Sequence, residues 1–504
     1  MTNGFSEVAG RCANYRYDPG FVIQTNPIIA KSCMDENHAK LLLQPRVGLA
    51  WDPTGTGTWA VRAAFGIHND LMDNLGIRVQ PNPPFSARES LMPAVAAAGG
   101  FLPLLPLKKN IALPPTCGPG ISAPCSIYQP TGFDPNMLTP TVQIWDLTVE
   151  RQLARDLVLS VGYVGSQSYH TNLTMDSNSS PPEVCQNPQG CRSGGVFPLS
   201  QLPGGQAPIV PQGTTYLPSR PPVVVNSVNL VQLPNPYVSY TQAWFGWGTA
   251  SYHAMNVSVL KRATRGLTFK ANYAWGKVLD LNSAILAPSG ENEPPNLLSP
   301  YNRHWNKGMA AYSIQHQFNT NFSYQLPFGN GQRFGSDATG WVNHLIGGWQ
   351  WNGILNAQSG FPFTPLIGFN NTGSGDGATV DIPNLKPNFK GKVISGTVDH
   401  WFDPRAFAVP TPGTFGNAGR STFRGPGLFN VDTSLFKRIP IREGMNLQFR
   451  AEAFNVFNHA NFAYPSGIVF QGNPSKYSYS DSAGQITATS NFSRQIQFAL
   501  KLLF

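Results

Sequence analysis

The sequence predicts an all-β protein, an antiparallel transmembrane β-barrel with long extracellular loops. Three observations predict it. The last eleven residues, Arg494 to Phe504, alternate: Ile496, Phe498, Leu500, Leu502 and Phe504 fall on one side of an extended strand, and Gln495, Gln497, Ala499, Lys501 and Leu503 on the other. The same alternation recurs, giving about eleven strands in 504 residues. Connections alternate between short turn-rich links and long irregular stretches, as they do at the two rims of an outer-membrane barrel.

The strands follow in order. Trp59, Val61, Ala63, Phe65 and Ile67 oppose Arg62, and Leu157, Leu159, Val161 and Tyr163 oppose Ser160 and Gly162. Met255, Val257 and Val259 oppose Asn256 and Ser258, and Leu267, Phe269, Ala271, Tyr273 and Trp275 oppose Thr268, Lys270 and Asn272. The run from Ile314 to Leu326 sets His316, Phe318, Phe322 and Tyr324 against Gln315, Gln317, Asn319, Asn321, Ser323 and Gln325. Leu447, Phe449, Ala451 and Ala453 oppose Gln448, Arg450 and Glu452, with a phase slip and an expected bulge near Phe454–Phe457. The polar sides hold Asn, Gln and Ser rather than dense Lys and Glu. That composition suits a barrel lumen better than the outside of a soluble sandwich. Trp51, Trp59, Trp145, Tyr163, Trp275, Trp349 and Trp351 sit near strand ends, where interfacial girdles form.

Short links follow Trp51, Leu153, Lys261 and Phe436. Long stretches run through about 70–140, 170–250, 280–310, 360–427 and 459–489, too long for loops of a compact soluble domain. The link after Phe328 is longer than its short neighbours and breaks the alternation.

Charged residues are only 12% of the chain, about half the usual share, while Gly (50) and Pro (45) disfavour long helices. No apolar run approaches the roughly eighteen residues of a spanning helix. The net charge of +9 is scattered through turns, loops and polar strand positions, which reads as solvated charge and not as a nucleic-acid surface. Six cysteines, Cys12, Cys33, Cys117, Cys125, Cys185 and Cys191, lie in Pro/Gly/Asn-rich segments. Loop disulfides in an oxidising compartment are expected, with the pairing left open. Their spacing does not suit zinc, and no other metal or cofactor is expected. Residues 1–40 read as a loop-like segment feeding a barrel domain over 41–504. The Met1 end carries no basic region followed by an apolar core, so a secretion signal is expected from sequence upstream.

Several segments resemble the C-terminal barrel of TonB-dependent outer-membrane receptors of the Oar-like group. They include Gln44 to Pro53, Val142 to Leu153, Gly162 to Ser166, Tyr252 to Arg262, Gly266 to Lys277, Tyr324 to Gly329 and Gln358 to Thr364. The most distinctive block runs from Thr414-Phe-Gly-Asn-Ala-Gly-Arg through Arg424-Gly-Pro-Gly to Gln448–Phe462. The resemblance implies a barrel of about twenty-two strands enclosing a plug. It also implies a signal peptide, a TonB-binding box and energy from the TonB complex. This chain would supply eleven or twelve of those strands, reaching the TonB complex only through parts it lacks.

No catalytic signature is present: no Gly-x-Ser-x-Gly, His-Glu-x-x-His or phosphate loop. An enzyme is therefore not expected. The Gly373–Gly377 run has too few acids for calcium, and His459 reads as a rim residue. A charge facing hydrocarbon is costly, so Arg62, Lys270, Asp432, Arg450 and Glu452 are assigned to the lumen, as a neutralised charge ladder or as contacts for plug or substrate. Phe504 is expected to be read by the barrel-assembly machinery through strand augmentation, with the C-terminus periplasmic. The expected function is uptake of a scarce or bulky ligand, unidentified, across a Gram-negative outer membrane. The alternatives are a passive pore or adhesin of twelve strands, the twelfth coming from residues 1–40, and an outer-membrane hydrolase.

Overall fold

The computed structural model describes residues 5–6, 11–14 and 28–30 by backbone, and residues 41–70, 117–123, 125, 127, 131–134, 136–240, 242–264, 266–283, 298–375 and 381–504. Eleven strands form one antiparallel meander, each paired with its neighbour in sequence. They are β1 (Arg46–Trp51), β2 (Trp59–Asn69), β3 (Thr141–Ala154), β4 (Leu157–Met175), β5 (Gln242–Thr264) and β6 (Leu267–Asp280). Then follow β7 (His316–Gln325), β8 (Trp349–Gln358), β9 (Leu428–Arg442), β10 (Met445–Phe454) and β11 (Gln495–Leu503). Two short strands join the sheet off this path, Thr131–Phe133 beside β5 and Gly308–Met309 beside β6.

Register carries the face assignment from one strand to the next, because directly opposed residues of an antiparallel pair share a face. Phe498 lies opposite Ala451, Ala451 opposite Leu435, Leu435 opposite Trp351, and Trp351 opposite Tyr324. That face continues through Phe269, Val259, Leu159 and Val61 to Trp51. It holds the large side chains left bare to the surroundings: Leu49, Phe498 and Leu500 are 59%, 70% and 70% exposed. A sheet this greasy on one side, with most of its large side chains left uncovered, is a wall for hydrocarbon.

Turn chemistry fixes the short rim. Asp52 closes the β1–β2 link, accepting from Thr54 N (3.0 Å) and Gly57 N (2.7 Å). Those backbone donors hold its carboxyl below the usual range. Lys261 pairs with Asp156 at the β3–β4 turn, and Arg262 N donates to Asp156 O at 2.8 Å. The β9–β10 link turns on Gly444 at φ +74°, a conformation that costs glycine nothing. The exception is the β7–β8 link, which contains helix α1 (Gly340–Ile346).

Strands β4 and β5 run 19 and 23 residues, beyond the roughly 9–11 that cross a bilayer. Their ends carry the long connections, and the buried apolar core lies there. Phe363, Ile367, Phe402, Phe407, Val469 and Phe470, from the β8–β9 and β10–β11 connections, pack into one cluster. Leu173, Met175, Ala243 and Phe245, at the upper ends of β4 and β5, form a second cluster, while many large apolar side chains lower on the wall stay exposed.

Three details correct the sequence reading, and a fourth decides what it left open. The strand expected to begin at Ile314 and end at Leu326 is shorter, His316–Gln325. No bulge follows Phe454: the strand ends there, and Asn455 and Asn458 turn the chain at φ +47° and +51°. Residues 1–40 do not supply a twelfth wall strand among the described residues. Phe5–Ser6, Arg11–Asn14 and Ile28–Ala30 form a separate three-stranded sheet. The sheet also stays open, for β1 pairs only with β2 and β11 only with β10 among the described residues.

Candidate functional site: a polar wall and a folded loop cap

The second face of the wall gathers the polar positions. From Arg62 it passes through Thr148, Gly162, Asn256 and Ala274 to Gln317. Amides and hydroxyls along it bond across strands. Asn272 Nδ2 donates to Asn319 Oδ1 (2.9 Å), Gln350 Nε2 to Ser323 Oγ (2.8 Å), and Asn352 Nδ2 to Ser434 Oγ (3.3 Å). Neutral donors and acceptors in rows hold a hydrated surface without large desolvation costs.

All five residues assigned to the lumen lie on this face. Arg62 pairs with Glu150, an acid the sequence reading did not single out. Lys270 stands opposite Asn321 and Leu260 in the register. Asp432 Oδ1 accepts from Asn430 Nδ2 (2.9 Å) and from Asn455 N (2.8 Å), tying the wall to the turn after β10. Arg450 donates to Gln448 Oε1 at 2.8 Å, and its guanidinium lies 4.7 Å from the Phe436 ring centre. Glu452 accepts from Gln497, its direct cross-strand partner. Asp432 and Glu452 border a concavity of about 450 Å³ with Asn321, Asn352, Ile354 and Ser434. Two carboxylates among amides and hydroxyls can accept hydrogen bonds from a polar ligand or from a protein surface seated in the lumen.

Above the wall the long connections fold into a cap. Arg420, at the end of the Gly-Asn-Ala-Gly-Arg run, makes a buried ion pair with Asp280 at the top of β6, and its Nε donates to Asn306 O at 2.7 Å. Arg424 donates to Gly360 O (2.9 Å) and Ser313 O (3.3 Å), and burial lowers its pKa. The sequence reading quoted both arginines and gave neither a role. Arginine in a glycine-rich loop is the available signal, because a planar fork can bridge several carbonyls at once. Asp381 is fully enclosed, accepting from the backbone of Asn371 (2.5 Å) and Thr372 (2.7 Å); burial raises its pKa. Tyr301 donates to Ser179 O (3.0 Å), and burial, with Asp176 adding to it, pushes its phenol up to about 12. Disulfides Cys117–Cys125 and Cys185–Cys191 close local loops. The expectation for Cys12 and Cys33 stays open, because Cys12 is described by backbone alone and Cys33 lies outside the described residues, as does Asp376 of the glycine-rich run. Where cap meets strand tops, Asp134, Tyr169, His170, Trp247 and Arg303 line a further hollow of about 310 Å³. Among the described residues, no cluster of three His, Cys, Asp or Glu side chains has metal-binding geometry.

A sheet dry on one face, wet on the other and capped at one rim defines a β-barrel wall of the outer membrane. The chain belongs to the family described as outer membrane beta barrel domain, whose profile matches residues 1–497. No curated protein matches it. Among solved structures it is similar to the outer membrane transporter YddB from Escherichia coli (10% identity, TM-score 0.41, 96% of this chain and 41% of that one). It is similar also to the FrpB iron transporter from Neisseria meningitidis (9%, 0.36, 91% and 39%). A third is the ferric enterobactin receptor PfeA from Pseudomonas aeruginosa (10%, 0.40, 91% and 40%). The chain spans about two fifths of the length of each.

Proposed function

We propose that this chain is one half of the wall of a TonB-dependent receptor of the Oar-like group, serving outer-membrane uptake of a scarce or bulky ligand. The observation that carries the reading is the eleven-stranded sheet with one dry face, one amide-rich face and, among the described residues, the β8–β9 and β10–β11 connections folded together at one rim. A ligand would be held by the cap and pass along the polar face, near Asp432 and Glu452. Among the described residues, strands β1 and β11 each leave one edge unpaired, and each unpaired backbone group in hydrocarbon costs several kcal/mol. Further strands therefore complete the wall. Energy reaches it through a plug and TonB-binding box outside residues 1–504. The C-terminus faces the periplasm, and Phe504 is the assembly signal.

The test is uptake in a receptor-null host. This chain alone should support none, while the same chain joined to a plug-bearing barrel half should restore TonB-dependent growth on the ligand. Uptake by the chain alone, or equal uptake without TonB, sinks the reading in favour of a passive pore.

A further inference from the structure

The β7–β8 connection, Leu326 to Gly348, is the one short-rim link that carries a helix among the described residues. Its residues show where that helix lies. Lys437 on β9 stands directly opposite Trp349 and Phe449, which places a cation on the dry face of the wall. A bare ammonium there is unfavourable. Helix α1 resolves it. Lys437 Nζ donates to Gly347 O and approaches Leu345 O at 3.4 Å, and it sits 5.2 Å from the Trp349 ring centre. The lysine is only 5% exposed. Trp349 Nε1 donates to the same Leu345 carbonyl at 2.9 Å. The C-terminal end of α1, where backbone carbonyls lack helical partners, is thus fastened over the outer side of the wall.

Fastened there, α1 still leaves Trp341, Val342 and Leu345 bare, at 76%, 37% and 62% exposure. Trp341 and Leu345 are four residues apart and share one helical side. In the same link, the Phe328 and Phe334 rings meet at a tilt with centres 5.6 Å apart, both more than two-fifths exposed, with the Arg333 guanidinium 5.5 Å from the Phe334 ring centre. Apolar side chains, aromatic rings and a cation at a barrel rim have the composition of a membrane–water boundary.

We infer that α1 is an in-plane anchor that lies in the headgroup region of the periplasmic leaflet, with Trp341 and Leu345 dipping into the acyl chains and Lys437 latching it to the wall. The occupant is lipid because the patch continues the dry face without a break, through Trp349 and Lys437 to Leu435 and Trp351. The inference rests on the membrane reading of that face.

The test uses the full chain refolded into phosphatidylethanolamine/phosphatidylglycerol vesicles whose acyl chains are brominated either near the glycerol or near the methyl ends. Fluorescence differences between the unmodified chain and Trp341→Phe isolate one indole; those for Trp351→Phe isolate a wall indole as reference. The expected result is quenching of Trp341 by shallow bromine, at least twice as strong as by deep bromine, and quenching of Trp351 by bromine at either position. If Trp351 is quenched and Trp341 is not, the anchor is overturned while the wall stands; blue-shifted Trp341 emission in that case means a protein surface covers it. If neither is quenched, the membrane reading fails and the anchor with it.

Discussion

Arg420 and Asp280 form a buried ion pair across 140 positions of sequence, joining the β8–β9 connection to the top of β6. Removing one member leaves the other charge buried and uncompensated, which typically costs about 3–5 kcal/mol. Arg420→Ala should therefore loosen the cap while leaving the wall folded. Hydrogen exchange should quicken across 360–427 and 303–306, with strand amides in β9 and β10 unchanged. A milder effect in Arg420→Met with Asp280→Leu would show that the cost lies in the orphaned charge.

Leu500 and Lys501 are neighbours on opposite faces of β11. Leu500→Arg puts a charge against hydrocarbon and should destabilise the folded chain in bilayers by about 2–4 kcal/mol near the midplane. Lys501→Ala changes a wet position and should cost less than about 0.5 kcal/mol. Urea unfolding in vesicles measures both, and equal effects would contradict the face assignment.

Tyr301 should ionise far above an ordinary phenol, at about 12. Its folded pKa is raised, so its contribution to stability is complete below pH 10 and fades as pH climbs through about 12. The ultraviolet difference between the unmodified chain and Tyr301→Phe gives the titration directly. A midpoint near 10 would mean the phenol is not enclosed by the cap.

Phe504 extends past β11 and is 92% exposed. If it is an assembly signal, Phe504→Ser should lower the amount of heat-modifiable barrel in cells several-fold, while refolding into detergent proceeds as before. A loss in both settings would assign Phe504 to stability instead.

Much of the wall was legible because a period of two survives in the sequence wherever one face is dry. Seven strands and their faces follow from it, from β2 at Trp59 to β11, while β1, β3, β8 and β9 enter only in the count of about eleven. The partners on the wet face were less legible. Arg450 and Glu452 sit two apart, yet Arg450 lies over the Phe436 ring and Glu452 accepts from Gln497, each a residue of a neighbouring strand. The cap was not legible at all. Its core draws Phe363, Phe407 and Phe470 from two connections without periodicity, and Arg420 finds Asp280 only once the meander has brought them together. Seven-residue α1 lies below the length at which helical periodicity can be read.

Strand β5 has 23 residues, roughly twice the number needed to traverse a bilayer. The surplus raises the cap beyond the span of a bilayer on a stalk of β4 and β5, joined at its top by Thr131–Phe133. If that rim is the outward one, whatever arrives from outside would meet the raised turret before the membrane beneath.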